Sequence, residues 1–188
     1  MRPGTGGSRP VTIRIPPAAL VMLVGAAASG KSTFAARHLG VESVVSSDGL
    51  RQALAGTESD QWPNAAVFDR LQEWVDARLA AGVLAVVDAT NTDWMWRAEL
   101  LRRARLKGRS AIAIVFNLPL DVCLARNATR SRKVPVSVIR RQVDELRRDV
   151  DRLDLEGFTA IYVLGSVVEV DAVSLQIEKG PMAPALPS

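Results

Sequence analysis

The residues most clearly able to do chemistry form one stretch, from Gly25 to Ser32, with the spacing G-x-x-x-x-G-K-S. The stretch follows an apolar run over 20–24 and leads into a helical pattern that begins at Lys31. Glycines at both ends let the backbone curl, so that several N–H groups and the positive end of the helix face one phosphate chain. The lysine can then reach the β- and γ-phosphates, and the Ser32 hydroxyl can bind Mg²⁺. The predicted binding residues for ATP and Mg²⁺ are Gly25, Ala26, Ala27, Ala28, Ser29, Gly30, Lys31, Ser32 and Thr33.

A carboxylate, Asp88, follows directly on the apolar run 83–87, where an uncompensated charge would be costly. At the carboxyl end of a strand beside a phosphate-binding loop, it can bind Mg²⁺ or one of its waters. The alternative is that Asp88 caps the next helix, although Asn91 or Thr92 would serve better there. We therefore predict Ser32 and Asp88 as the metal-binding residues.

A second carboxylate, Asp48, also follows a short apolar run and begins a helical turn, with Arg51 three residues later. One turn of helix places the two side chains on the same face. The ordinary interpretation is a capping aspartate and a solvent-exposed arginine. The functional interpretation is a general base for an acceptor hydroxyl, with the arginine holding a neighbouring phosphate. The spacing alone leaves both open.

Basic side chains crowd the segment 126–133, which contains Arg126, Arg130, Arg132 and Lys133. A solvated run of charges is the usual explanation for such a segment. Phosphoryl transfer, however, needs cationic side chains that close over the transferring group. Because the segment lies between two helical patterns, we predict that it is an arginine-rich lid.

Apolar runs and helical patterns alternate along the chain. The runs 20–24, 41–46, 83–87, 111–116 and 160–164 predict strands, 11–15 predicts a short strand at a sheet edge, and 136–153 and 167–177 predict helices. This alternation predicts an α/β fold, with a parallel sheet of about five core strands and helices on both faces. Ligands bind at the carboxyl ends of such strands, which would bring the phosphate-binding loop, Asp48 and Asp88 to one edge of the sheet.

The composition bounds the class of protein. The chain has 188 residues, of which 48% are hydrophobic and 23% charged, and this predicts one domain over 11–178 with a disordered arm at 1–10 and a disordered tail at 179–188. Cys123 is the only cysteine, and neither a bilayer-spanning run nor a secretory signal is visible, so we expect a cytoplasmic protein. The net charge of +4 suits a polyanionic partner, ATP or nucleic acid, without choosing between them.

The chain contains four tryptophans, Trp62, Trp74, Trp94 and Trp96. Packing is the ordinary role of such side chains. Trp62 and Trp94 occur near loops at the predicted binding edge and could instead stack a base.

Taken together, these segments resemble the 5′-kinase module of polynucleotide kinases, especially the bacterial end-healing kinase–phosphatase. The matching segments are GAAASGKSTF (25–34), SSDGLR (46–51), VVDATN (86–91), VFNLP (115–119), CLARNATR (123–130), VPVSVIR (134–140) and EGFTAIYVL (156–164). Many small kinases share the first and third segments. The second, fifth and sixth together are more specific. One departure is Ala28, which stands where the loop of this family usually has a third glycine.

The resemblance implies roles for several residues and a nucleic acid partner. Lys31 and Ser32 would hold ATP and Mg²⁺, and Asp48 would deprotonate the 5′-hydroxyl of a DNA or RNA acceptor. Arg51 would bind the nearest phosphate of that acceptor. Arg126 and Arg130 would contact the ATP phosphates from the lid.

Other functions remain open on the same scaffold. A small-molecule kinase could act on a sugar, a nucleoside or an antibiotic, and a non-catalytic partner protein could hold ATP without transferring phosphate. Asp48 argues against mere binding, while Arg51 and the basic lid favour a phosphate-bearing acceptor. The sequence also leaves open the oligomeric state and whether the chain is a free-standing kinase or one domain of a larger enzyme.

Overall fold

The computed structural model describes residues 11–55 and 64–178. The strands are β1 Thr12–Ile15, β2 Leu20–Gly25, β3 Val44–Ser46, β4 Ala85–Asp88, β5 Ala111–Phe116, β6 Ala160–Leu164 and β7 Ser174–Ile177. The helices are α1 Lys31–His38, α2 Ser47–Ala55, α3 Asn64–Ala80, α4 Trp94–Leu106, α5 Leu120–Ala128, α6 Val136–Asp149 and α7 Val167–Asp171. Five of the strands form one parallel sheet in the order β3-β4-β2-β5-β6. The predicted α/β fold, with its sheet of five core strands, is confirmed.

Side chains that alternate along the central strands build a core on each face of the sheet. In β2, Val21 and Leu23 pack into one core, together with residues of α1, α5 and α7. Met22 packs into the other core, against α3 and α4. α6 contributes Val143 to the first core and Leu146 to the second. Both faces are therefore covered by helices, and this explains why the central strands are apolar at nearly every position.

The strand register brings the predicted site residues to one edge. Asp88 at the end of β4 pairs with Leu23 of β2 on one side and with Ser46 at the end of β3 on the other. The sheet order also separates two helices that begin at this edge. α2 follows β3 and α7 follows β6, and these are the two outer strands. α2 and α7 therefore lie on opposite sides of the loop after β2.

Three sequence predictions need correction. The run 41–46 is not one strand, because 41–43 forms a turn of 3-10 helix in which the Ser43 N–H donates to the Gly40 carbonyl, and only Val44–Ser46 pairs with β4. The segment 167–177 is helical only to Asp171, and its last four residues form β7. The long helix predicted over 136–153 ends at Asp149, where a 3-10 segment over 150–155 continues the apolar spacing.

The strand predicted over 11–15 is present but does not join the main sheet. It pairs in parallel with β7, with Thr12 opposite Ser174. The pairing buries Ile13 and Ile15 in the core beside α1. The polar–apolar alternation of Ser174–Ile177 suits this half-buried strand better than a helix. The predicted arm 1–10, the predicted tail 179–188 and Trp62 lie outside the described residues.

Candidate functional site

The phosphate-binding loop connects β2 to α1, and its two glycines are required by the local geometry. Gly30, which precedes the first turn of α1, has φ 102°, a left-handed conformation that L side chains rarely adopt. At Gly25 an added Cβ would lie 2.9 Å from Ser29 Oγ and 3.0 Å from Phe116 Cβ. No side chain of the described residues caps α1. The first-turn N–H groups and the positive end of the helix dipole are therefore available to bind an anion such as the phosphates of ATP.

Ala28, the departure from the family pattern, adopts the conformation that a glycine would favour. Its φ is 63°, in the left-handed region. A side chain in this region costs roughly 1–2 kcal/mol because the Cβ approaches the following carbonyl. The loop therefore keeps a glycine-like backbone at this position, and the alanine adds local strain.

Lys31 is buried and folded back onto the loop. Its Nζ donates to the carbonyls of Gly25 and Ala26, each at 2.8 Å, and to Ser29 Oγ at 3.3 Å. Burial lowers the pKa of the Lys31 ammonium to about 8, and nearby Asp88 partly offsets this effect. A polyphosphate beside the ammonium would favour its charged form.

The predicted metal ligands meet across the sheet edge. The Ser32 hydroxyl lies near enough to the Asp88 carboxyl to lower its pKa. Burial raises the pKa of Asp88, while Ser32 and Lys31 oppose the shift. No group of three or more His, Cys, Asp or Glu side chains within 11–55 and 64–178 is placed to hold a metal ion. Two oxygen ligands fit Mg²⁺, which is usually held by one or two protein groups together with substrate phosphates and water.

The alternative role of Asp88 as a helix cap is not seen. The N-cap of α4 is Asp93, whose carboxylate accepts a hydrogen bond from the Met95 N–H at 2.9 Å. Asn91 and Thr92, the residues that we expected to cap better, do not occupy this position either. Asp88 instead remains beside Ser32.

Asp48 lies in the first turn of α2, and Arg51 follows three residues later on the same face. An Arg51 Nη1 donates to the Asp48 carboxylate at 2.9 Å, and the Asp48 side chain is 60% exposed. Both residues line the same cleft as Lys31 and Asp88. This geometry fits both interpretations of the pair, an ordinary ion pair on one helix and two polar groups that face a ligand.

Arg126, in the last turn of α5, crosses to the phosphate-binding loop and donates from Nη1 to the Ser29 carbonyl at 2.9 Å. The next residue, Asn127, is buried and makes two hydrogen bonds of 2.9 Å with the backbone of Val134. This amide fastens both ends of the segment 128–133. Arg130 within that segment is near enough to Lys31 and Asp88 to lower the pKa of both.

A buried arginine that sequence reasoning missed organises the loop after Asp88. Arg97 is fully buried and donates to the carbonyls of Asn91 and Thr92 at 2.9 and 2.8 Å. Its other guanidinium nitrogens donate to both carboxylate oxygens of Glu156, at 2.8 and 2.5 Å. The sequence does hold a signal for this role, because the arginine occupies a helical stripe otherwise made of Leu100, Leu101 and Ala104.

Further hydrogen bonds tie this loop and the phosphate-binding loop to neighbouring elements. Asn91 has φ 49° and donates from Nδ2 to the Leu23 carbonyl at 2.8 Å. Thr90 accepts from the Gly25 N–H at 2.8 Å. Gln142 of α6 accepts from the Ala27 N–H at 2.9 Å. These bonds join the loop after β4 to the end of β2, and the phosphate-binding loop to α6.

The cleft at this edge has a volume of about 1440 Å³. Its walls contain most of the predicted residues, namely Ala27, Ala28, Gly30, Lys31, Ser32, Thr33, Asp48, Arg51, Asp88, Arg126 and Arg130. Gly25, Ala26 and Ser29 do not line it, and instead supply the oxygens that hold Lys31 and Arg126. The structure thus brings a phosphate-binding loop, an oxygen pair for a metal, cationic side chains and a second carboxylate into one cavity.

A parallel sheet in this order with a G-x-x-x-x-G-K-S loop defines the P-loop kinase fold. The chain belongs to the family described as AAA domain (AAA_33), whose model matches residues 20–153. No curated protein sequence matches the chain significantly.

Several solved structures share the fold. A sugar kinase from Janibacter sp. HTCC2649 is 21% identical, covers 79% of this chain and 86% of its own, and gives a TM-score of 0.53. A chain of the Pnkp1/Rnl/Hen1 RNA repair complex is 23% identical with a TM-score of 0.62, and the match covers 79% of this chain but 48% of that longer one. The Mycobacterium tuberculosis APS kinase CysC, in complex with AMPPNP and APS, is 16% identical over 84% of this chain and 94% of its own, with a TM-score of 0.52.

These solved structures show that the chain shares its fold with several kinases. At such identities the similarity shows the fold alone, and the acceptor is left undetermined. None of the helices within the described residues is long and apolar enough to cross a membrane.

Proposed function

We propose that this protein is an ATP-dependent polynucleotide 5′-hydroxyl kinase acting on DNA or RNA ends. The observation that carries the proposal is the Asp48–Arg51 pair, which lies in the cleft of the phosphate-binding loop, two strand positions along the sheet. An acceptor there would face a carboxylate and a guanidinium together. A hydroxyl with an adjacent phosphate matches both groups, whereas a neutral polyol matches only the carboxylate.

The donor side of the reaction rests on the phosphate-binding loop. Bound ATP with Mg²⁺ would supply the γ-phosphoryl group, which passes to the acceptor oxygen as its bond to ADP breaks. The first-turn N–H groups of α1 would hold the phosphates, and Lys31 would turn from the loop carbonyls towards them. Ser32 and Asp88 would hold the metal ion.

The acceptor side rests on α2. Asp48 would accept the proton of the 5′-hydroxyl as the new P–O bond forms, and Arg51 would hold the nearest phosphate of the acceptor. Arg126 and Arg130 would neutralise charge on the transferring group from the other side of the cleft. The fold similarity to a chain of an RNA repair complex supports this choice of acceptor, and the net charge of +4 suits a polyanion.

The test is single-turnover transfer from labelled ATP to a 5′-OH oligonucleotide, with a panel of sugars and nucleosides beside it. Asp48→Asn should keep ATP affinity and thermal stability while the transfer rate falls by about 10²–10⁴-fold, the usual contribution of a general base. Glu73→Gln is a matched control, because Arg70 and Glu73 form a similarly exposed pair three residues apart on α3, outside the cleft. This control should transfer phosphate normally.

Two results would contradict the proposal. Phosphorylation of a sugar or nucleoside in place of the oligonucleotide would make the protein a small-molecule kinase. Normal transfer by Asp48→Asn with a lowered melting temperature would make Asp48 a structural residue of α2 only.

A further inference from the structure

The cleft contains an exposed aromatic side chain that the proposed chemistry leaves unexplained. Trp94, the first residue of α4, is 61% exposed and lines the cleft together with Asp48 and Arg51. Its neighbour Met95 is 59% exposed but does not line the cleft. An indole exposed to water inside a ligand cavity offers a large flat apolar surface, whose burial by a ligand would be favourable.

The position of Trp94 is fixed by the elements around it. The Asp93 carboxylate caps α4 through the Met95 N–H at 2.9 Å, and Arg97 one turn later is anchored to the loop carbonyls behind it. On the neighbouring wall, Phe68 of α3 stacks on Trp96, with ring centroids 3.8 Å apart and an interplanar angle of 13°. Both of these rings also line the cleft. Hydrogen bonds therefore hold the start of α4, which carries Trp94, and one stacked aromatic pair lines the same cleft.

The sheet order places these aromatic residues at the acceptor end of the cleft. Trp94 follows β4, and β4 lies next to the outer strand β3, which leads into Asp48 and Arg51. The opposite end of the cleft lies towards α7, which follows the other outer strand. The helices α2, α3 and α4 thus all contribute side chains to this cleft, among them a carboxylate, a guanidinium and an exposed indole.

We propose that Trp94 is the stacking platform for the terminal nucleobase of the acceptor, an assignment that rests on the proposed polynucleotide kinase function. The indole would stack on the base while Arg51 holds the adjoining phosphate, so that the 5′-hydroxyl reaches Asp48. Stacking uses the π-face that every base has, and it is therefore tolerant of sequence. The platform would select acceptors that carry a base over acceptors that offer only a sugar and phosphate.

The test compares two acceptors of equal length and charge, an ordinary 5′-OH oligonucleotide and one whose terminal nucleotide lacks its base. Trp94→Ala should raise the acceptor KM roughly 5- to 150-fold on the ordinary oligonucleotide, the range reported for removing one base–aromatic stack. It should leave the KM of the abasic acceptor unchanged. Trp94→Phe should restore most of the affinity, and Met95→Ala, at the equally exposed neighbour, should match the native protein on both acceptors.

A melting curve of each variant separates stacking from folding, and ATP affinity should be unchanged throughout. Equal losses on the two acceptors, or no loss on either, would overturn the stacking assignment while leaving the kinase proposal standing. No phosphorylation of either acceptor by the native protein would overturn the proposed function and this assignment with it. A higher KM for the ordinary acceptor alone, recovered by Trp94→Phe, is the supporting result.

Discussion

The buried guanidinium of Arg97 should be among the most sensitive positions in the domain. Arg97→Ala removes the donor of two hydrogen bonds to Glu156 and of two more to the carbonyls of the loop after Asp88. Those carboxylate oxygens and carbonyls would lose their hydrogen-bond donor, and a cavity would remain where the guanidinium lay. Breaking a buried ion pair by removing one member typically costs about 3–5 kcal/mol.

The expected effect on the melting temperature follows from the size of the chain. For a domain of 150–250 residues, each kcal/mol shifts the midpoint by about 2–4 °C, so Arg97→Ala should melt roughly 6–20 °C below the native protein. The melting temperature of Arg97→Lys should lie between those of Arg97→Ala and the native protein, because lysine keeps the charge but loses the bidentate contact. The assay is thermal unfolding followed by circular dichroism, with ATP affinity measured beside it.

A matched control lies on the same helix. Arg102 also makes two hydrogen bonds to a glutamate, Glu99, but it is solvent-exposed, and Glu99 keeps a second partner in Arg103 at 3.0 Å. Arg102→Ala should therefore change the melting temperature little. A loss for Arg97→Ala no larger than that of Arg102→Ala would refute the argument that the buried network holds this loop.

Two further predictions concern the phosphate-binding loop. Because burial lowers the pKa of Lys31 to about 8, the free protein loses this positive charge as the pH rises through 8. Calorimetry should therefore show that Mg·ATP binding takes up protons above pH 8 and weakens there by up to about tenfold per pH unit. Lys31→Arg should lose this dependence, because a guanidinium stays charged. Ala28→Gly should relieve a left-handed φ and stabilise the protein by up to about 1 kcal/mol. Gly30→Ala should destabilise it by more than about 1 kcal/mol and displace Arg126, whose Nη1 lies 2.9 Å from the added Cβ. Thermal melts in which the two variants change stability in the opposite directions would contradict the assigned backbone.

The phosphate-binding loop and the order of strands and helices could be predicted because their signals are local. Glycine spacing, the lysine and the adjoining apolar run all fall within about 15 residues, and each apolar run reports its own burial. The same kind of signal gave wrong predictions for 41–46, predicted as one strand, and for 167–177, predicted as one helix. Val41 is 88% exposed and Ile177 is 46% exposed, so apolar residues in these short runs do not by themselves indicate a buried strand or a buried helix face.

The alternation of strands and helices predicted that the phosphate-binding loop, Asp48 and Asp88 share one edge of the sheet, but only the tertiary structure decided the order of the strands along that edge. The order β3-β4-β2-β5-β6 places Asp88 beside Ser32 and Asp48 across the same cleft, and strand pairing of this kind depends on contacts between residues far apart in sequence. The pairing of β1 with β7 is a further example. The partners of Arg97 were also invisible, because Glu156 lies 59 residues away, although an arginine within an apolar helical stripe already indicated that a buried partner was needed. A sequence determines which groups must be buried or paired, but only the packed chain determines which partner each of these groups contacts.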